Sequence, residues 1–266
     1  MSWRPPPFIW LCVALHLLAL LLLWFEPQRW QQVVLALLVL HGVISVVGLL
    51  PRSNWLGANL TRLPADAAGR GEVAITIDDG PDPDVTPQVL AILRRHGASA
   101  TFFCIGERAA AYPELCHAIV ADGHAVENHG QRHRKHTSAF GPRGWLREVG
   151  DAQATLLGIT GSAPLFYRPI AGLRNPFLDP VLQRLGLRLA SWTRRGFDTQ
   201  ADDPDKVYAK LARGLSAGDI LLLHDGNAAG AANGRPVILE VLPRLLNELA
   251  ARHLKPVTLR QACKKV

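Results

Sequence analysis

Two adjacent carboxylates end an apolar run in Ala74-Ile75-Thr76-Ile77-Asp78-Asp79-Gly80-Pro81. Like charges side by side repel unless a cation or a shared proton resolves them. One such Asp can hold a metal ion while its neighbour takes a proton from water that the metal activates. The plainer role of Asp-Asp-Gly-Pro is to end a strand and open a turn. Further on, His129 and His133 stand four residues apart. That spacing puts two imidazoles on one face if the segment turns helically. Two His and one Asp make a three-ligand set with positions left for water and substrate. His136 is a further candidate ligand, and a surface loop rich in His and Arg has the same composition. Arg168 closes Phe166-Tyr167-Arg168-Pro169, Asp198 follows Arg194-Arg195-Gly196-Phe197, and His224 ends Ile220-Leu221-Leu222-Leu223-His224. Each of these three charges can be incidental at a strand end; their joint order carries the argument.

Such residues need a scaffold that brings strand ends together. Short apolar runs predict strands over 73–77, 100–105, 124–128, 165–168, 187–192, 219–224 and 256–259. Amphipathic segments predict helices over 87–96, 108–122, 142–157, 176–185, 204–215 and 236–252, several opened by Pro and followed by Gly. This alternation argues for a parallel α/β barrel or a doubly wound sheet. In both, chemistry gathers at the carboxyl ends of the strands, where these polar residues fall.

The order and context of the motifs resemble the polysaccharide deacetylase family, also called the NodB-homology domain or carbohydrate esterase family 4. The resemblance runs from about residue 72 to 259. Its motifs appear as Thr76-Ile77-Asp78-Asp79-Gly80, His129-x-x-x-His133, Arg168-Pro169-Ile170-Ala171-Gly172, Arg195-Gly196-Phe197-Asp198-Thr199 and Leu222-Leu223-His224, with Ala100-Thr101-Phe102-Phe103 beside them. The resemblance implies a distorted parallel (β/α) barrel. It implies that Asp79, His129 and His133 bind one divalent metal, zinc first, with cobalt, nickel and manganese as alternatives. It makes Asp78 the base that deprotonates the attacking water, Arg168 its partner, His224 the acid for the leaving amine and Asp198 the holder of His224. The Ala171 amide and Leu222 would line the oxyanion and acyl positions. The activity implied is removal of an N-acetyl or N-formyl group from an amino sugar. Four positions depart from the family pattern: Ile77 replaces a Phe with little consequence for packing, Ala171 a frequent Tyr, Thr199 a Trp, and Arg195 the first Asp of the fourth motif. The usual polymer-binding surface is therefore altered while the chemistry is complete.

A chain of 266 residues has room for more than this domain. Residues 8–25 and 33–50 form two runs without Asp, Glu, Lys or Arg, each near the length that spans a bilayer. They predict a transmembrane hairpin within residues 1–50, turning at Glu26-Pro27-Gln28-Arg29, then a linker at 51–71 and a catalytic domain at 72–266. A cleaved signal peptide fits less well, because a second apolar run follows directly. Trp3, Trp10, Trp24, Trp30 and Trp55 fall where interfacial aromatic belts are expected. His16 and His41 are expected to face each other, with Gly42, Ser45 and Gly48 allowing close packing. Arg4, Arg52, Arg62 and Arg70 flank the hairpin, so the positive-inside tendency leans towards a domain on the cytoplasmic side of a bacterial inner membrane. Cys104, Cys116 and Cys263 leave an odd number outside the apolar runs, consistent with that side.

The net charge of +7 suits anionic headgroups next to a membrane. No zinc-finger spacing, recognition helix or aromatic-plus-basic RNA motif is present, which excludes nucleic acid as a partner. The expected substrate is a polysaccharide or a lipid-linked amino sugar, with Arg132, Arg134 and Lys135 as candidate phosphate contacts. Two competing readings are weaker. A non-catalytic saccharide-binding module would be expected to have lost a ligand, base or acid, and none is missing. A two-metal phosphoesterase needs further carboxylates and His.

Overall fold

The computed structural model describes residues 3–264, so residues 1–2 of the expected hairpin and 265–266 of the expected catalytic segment lie outside it. The chain runs α1 (Pro7–Phe25), α2 (Trp30–Gly48), α3 (Ala65–Gly69), β1 (Glu72–Asp78), α4 (Thr86–Arg95), β2 (Thr101–Cys104), α5 (Gly106–Ala111) and α6 (Pro113–Ala121). It continues through β3 (Ala125–Asn128), α7 (Pro142–Thr160), β4 (Phe166–Tyr167), α8 (Leu178–Arg184), β5 (Arg188–Leu189) and β6 (Arg194–Arg195). It ends with α9 (Pro204–Ala212), β7 (Ile220–His224), α10 (Ile238–Ala251), β8 (Lys255–Val257) and α11 (Leu259–Ala262).

All strand pairs are parallel, in the order β5-β4-β3-β2-β1-β7-β6, with β8 also on β1. The path stays open between β5 and β6, so the sheet curls into an incomplete (β/α) barrel. Period-two alternation sorts its strands into two faces. Val73, Ile75, Ile77, Leu221 and Leu223 join the layer beneath the helices, together with Leu242 and Leu245 of α10. Ala74, Ile220 and Leu222 pack inside the curl with Phe103, Phe166 and Trp192. The same alternation puts Asp78 and His224 on the inner face, where they are register partners on neighbouring strands.

Several elements differ from the expectation. The helix expected over 108–122 breaks at Tyr112 (φ −134°, ψ 59°), because Pro113 lacks an amide hydrogen and bars helical geometry before it. The last strand stops at Val257, where Thr258 and Gln261 form a capping box that starts a helix turn. Strand β6 was not foreseen: two arginines carry no apolar signal, and only pairing with Leu221 and Leu222 makes them a strand.

Segment 51–71 is docked on the sheet rather than free. Leu60 bridges Ala190, and Leu56, Leu63 and Ala67 are buried. Helix α1 and the helical span Pro27–Gly48 that contains α2 have mean hydropathies of 2.5 and 1.9 and are long and apolar enough to cross a membrane. The His16 and His41 rings meet edge to face at 5.2 Å. Each donates Nδ1–H to the carbonyl one turn before it, Cys12 and Leu37 respectively. The small residues act differently from the expectation. Gly42 has nothing within 4 Å, and Gly48 abuts the α/β domain, where Arg174 N–H donates to its carbonyl at 3.1 Å. The approach Gly48 allows is helix to domain, since a Cβ there would lie 2.3 Å from the Arg174 carbonyl oxygen. Trp3 Nε1 donates to Asp179 at 2.7 Å, and Phe8 packs on Trp55 at 5.1 Å. Replacing Gly48 with Val should therefore undock the hairpin, at a cost of about 1–3 kcal/mol. Thermal unfolding of the detergent-purified chain and protease cutting within 49–57 check this; unchanged melting and protection would refute the docking.

Candidate active site

The carboxyl ends of β1, β3, β4 and β7 converge on a cleft of about 750 Å³. Asp79 leaves β1 with φ +74°, a left-handed conformation that swings its carboxylate away from that of Asp78. His129 follows β3, and its amide donates to Cys104 on β2 at 3.0 Å. His133 lies at φ +53° in a loop tied down by Glu148 of α7. Glu148 Oε1 accepts the amides of Arg132 at 2.8 Å and His133 at 3.1 Å.

These bonds bring three donor groups together. Asp79 Oδ1 is 3.0 Å from His129 Nε2 and 2.9 Å from His133 Nε2, and one ligand atom from each residue lies within 4.8 Å of the others. The other nitrogen of His129, Nδ1, donates to the Arg168 carbonyl at 2.7 Å. Its Nε2 then carries a lone pair aimed at a carboxylate oxygen, and two such atoms need a cation or a proton between them. Burial disfavours the charged form of His129, but Asp78 and Asp79 outweigh it and raise its pKa. Burial would likewise push Asp79 up, yet the two imidazoles hold it well below the carboxylate range. A two-His, one-carboxylate donor set of this geometry fits a divalent ion. His136 is not part of it and packs on Phe140 at 5.4 Å.

Asp78 faces the same point with its second oxygen 3.9 Å from His129 Nε2. Its first oxygen accepts from Arg168 Nη1 at 2.7 Å. Arg168 is fully buried and also donates to Thr76 Oγ1 and to the carbonyls of Ala190 and Ser191, over the face of Phe103 at 4.1 Å. Burial lowers its pKa, and Asp78 works against that.

Across the cleft, His224 Nδ1 donates to Asp198 Oδ1 at 2.8 Å, and the His224 amide donates to Oδ2 at 2.7 Å. Burial opposes the imidazolium, but Asp198 dominates and the pKa is raised. Ala171 (φ +51°) and Leu222 line the cleft as well. The candidate residues therefore all meet here.

Four contributors were not foreseen. Glu148 anchors the His133 loop. Asn227 (φ +62°) donates to Asp79 Oδ2 at 3.1 Å, and Arg108 donates to the Asp79 carbonyl at 2.8 Å. Asp225 accepts from Thr86 Oγ1 at 2.5 Å, and burial raises its pKa to about 7. Only Asp225 had a local signal, being next to His224; the others lie far away in sequence or carry no motif.

An incomplete parallel barrel with such a metal-binding group at its strand ends has the form of a carbohydrate N-deacetylase. Residues 65–190 match the profile described as polysaccharide deacetylase. The chain is 31% identical to a peptidoglycan-N-acetylglucosamine deacetylase of Bacillus cereus, over 71% of its own length and 86% of the relative's. It is 34% identical to a chitooligosaccharide deacetylase of Azorhizobium caulinodans, over 69% and 90%. Among solved structures, a family 4 carbohydrate esterase from Streptomyces lividans superimposes with a TM-score of 0.63 at 31% identity, covering 70% of this chain and 91% of that one. A peptidoglycan N-acetylglucosamine deacetylase shares the fold with a TM-score of 0.70 at 23% identity, covering 78% and 94%. The chain belongs to the polysaccharide deacetylase family.

The purified protein should bind one divalent ion per chain, and Asp79→Ala should weaken binding at least about 100-fold. Metal content after dialysis against graded chelator measures this. Two tightly held ions, or an unchanged Asp79→Ala, would contradict the single three-ligand site.

Proposed function

We propose that this protein is a metal-dependent hydrolase that removes an acetyl or formyl group from the nitrogen of an amino sugar in a polysaccharide or lipid-linked glycan. The observation that carries the reading is the convergence of the Asp79–His129–His133 group with a buried Asp78–Arg168 pair and a buried His224–Asp198 pair on one cleft. Hydrolysis of an amide needs an activated water, a stabilised oxyanion and an acid for a poor leaving amine.

Asp79, His129 and His133 would hold the ion, zinc in the first instance. When bound, the ion supplies Lewis-acid polarisation and makes the attacking water more acidic. Asp78 takes the proton from that water, held in position by Arg168. The Ala171 N–H donates to the oxyanion, and Leu222 packs against the acyl group. His224, kept as the Nδ1–H tautomer by Asp198, delivers the proton from Nε2 to the nitrogen as the carbon–nitrogen bond breaks. Register pairing of Asp78 with His224 lets base and acid address one carbonyl from two sides. The saccharide-binding alternative is not favoured, since every group the chemistry needs is present.

The two N-terminal helices anchor the domain in a bacterial cytoplasmic membrane, with the domain on the cytoplasmic side according to the flanking arginines. Reporter fusions after Val266, active only inside or only outside, test that side; periplasmic activity would reverse it.

Asp78→Asn should lower kcat by about 1000-fold or more and leave metal content unchanged. Intact hydrolysis in that variant would sink the assignment of the base. The raised pKa of His224 sets the alkaline limb of the pH profile: the acid form persists up to that pKa and is lost as pH rises through it. Asp198→Asn removes the charge that raises it, so the alkaline limb should move to lower pH. A limb that stays in place would assign the acid elsewhere.

A further inference from the structure

Strand β6 presents two consecutive arginines in opposite circumstances. Arg194 is spent on structure, donating to Asp219 at 2.5 Å and to the carbonyls of Arg213 and Gly214. Strand alternation turns Arg195 to the other face. It pairs in register with Leu222, two residues before His224, and so shares the inner face and lines the catalytic cleft. Its Nε is buried without an acceptor, and among the described residues no carboxylate or carbonyl bonds its guanidinium. Two aromatic rings hold it instead, Trp192 at 5.4 Å and Phe197 at 4.9 Å from Cζ. Aromatic faces position a cation without neutralising it. Phe197 itself is at φ +64°, a strained conformation for an aromatic residue, and its ring also carries Lys210 Nζ at 4.9 Å.

The neighbouring charges do not match Arg195. Arg168 has its own counter-ion in Asp78, and Arg195 works against the charge of Arg168. Arg132 pairs with Glu107 at 3.1 Å, and Arg108 is bonded to the Asp79 carbonyl. Lys135 lines the same cleft without an acid partner among the described residues. A part-buried, fixed, uncompensated guanidinium is unfavourable until an anion reaches it. Its planar fork suits phosphate oxygens.

We propose that Arg195 forms a substrate-anion subsite, and that the substrate is an amino sugar joined through a phosphate or diphosphate ester. The inference rests on the deacylase reading above and names its substrate class. Two sources share this chemistry: a sugar on a lipid carrier phosphate, and a soluble nucleotide-linked sugar. The subsite faces the edge where the hairpin lands, since Pro51 and Trp192 both close on Gly172, and Arg52 donates to the Thr193 carbonyl at 3.3 Å.

The test uses the full chain loaded with zinc, in nanodiscs. The probes are farnesyl-phospho-N-acetylglucosamine, UDP-N-acetylglucosamine and neutral octyl N-acetylglucosaminide, with the N-formyl forms alongside. At least one phosphate-linked probe should give a kcat/KM about tenfold or more above that of the neutral glycoside, an advantage that shrinks with salt. Arg195→Gln should lower turnover of that phosphate-linked probe about 10- to 100-fold more than neutral turnover, mainly through KM, with Arg195→Lys between. A farnesyl preference identifies the lipid carrier and a UDP preference the nucleotide; either supports the subsite. Equal turnover of charged and neutral probes, or an equal loss on all probes in Arg195→Gln, overturns it. Calorimetric binding of the same probes to Asp78→Asn, with and without Arg195→Gln, reads the subsite without hydrolysis. An inert wild-type enzyme whose binding still depends on Arg195 would sink the deacylase reading and keep the subsite. Binding insensitive to Arg195 would sink the subsite alone.

Discussion

A single fully buried guanidinium ties the catalytic half of the barrel together. Arg168 donates to Asp78 and Thr76 on β1 and to the Ala190 and Ser191 carbonyls beyond β5, and its own carbonyl accepts from His129 after β3. Taking that charge out of water is expensive, and only a complete set of partners offsets it. Losing one partner of such a pair typically costs about 3–5 kcal/mol. The consequence is geometric. Because the partners come from three separate chain segments, satisfying Arg168 fixes Asp78, one imidazole and the cleft wall relative to one another.

The parallel sheet makes that arrangement possible. Its inner face takes alternate residues from each strand, so Thr76 and Asp78 of β1 stand beside Leu222 and His224 of β7 without any loop having to carry them. Residues that must adopt left-handed backbone, Asp79, His133, Ala171 and Asn227, occur only where the strands have ended. Rigid strands supply the position of Asp78 and His224, while strained turns supply the direction of Asp79, His133 and Ala171. Glu148 extends this logic by holding the His133 loop through two backbone amides.

The N-terminal helices bear on the same cleft. Segment 51–57 links their end to the wall formed by Gly172 and Trp192, and Leu60 extends the sheet beside Ala190. The apolar hairpin therefore braces the cleft rim, while the inner face of β6 brings an unmatched cation to the same side.

The sequence by itself singled out the candidate ligands, base and acid: all but His133 and Asp198 stand at or next to the end of a strand-forming run, and strand periodicity is a local property. It also determined the parallel α/β class, through regular alternation punctuated by Pro and Gly. Other features depended on partners far along the chain. The pairing of Arg168 with Asp78 spans 90 residues and that of Asn227 with Asp79 spans 148, distances across which no periodicity carries information. Strand β6 exists because β7 accepts it, and its arginines differ only in which face of the sheet they meet. Segment 51–71 has the composition of a linker, yet Leu56 and Leu63 find buried places against the sheet. Gly48 looked like a helix-packing residue and instead makes room for the Arg174 backbone. Local pattern fixes which residues stand at strand ends; only the folded sheet decides which of those ends meet, because burial and charge matching act between segments that the sequence keeps apart.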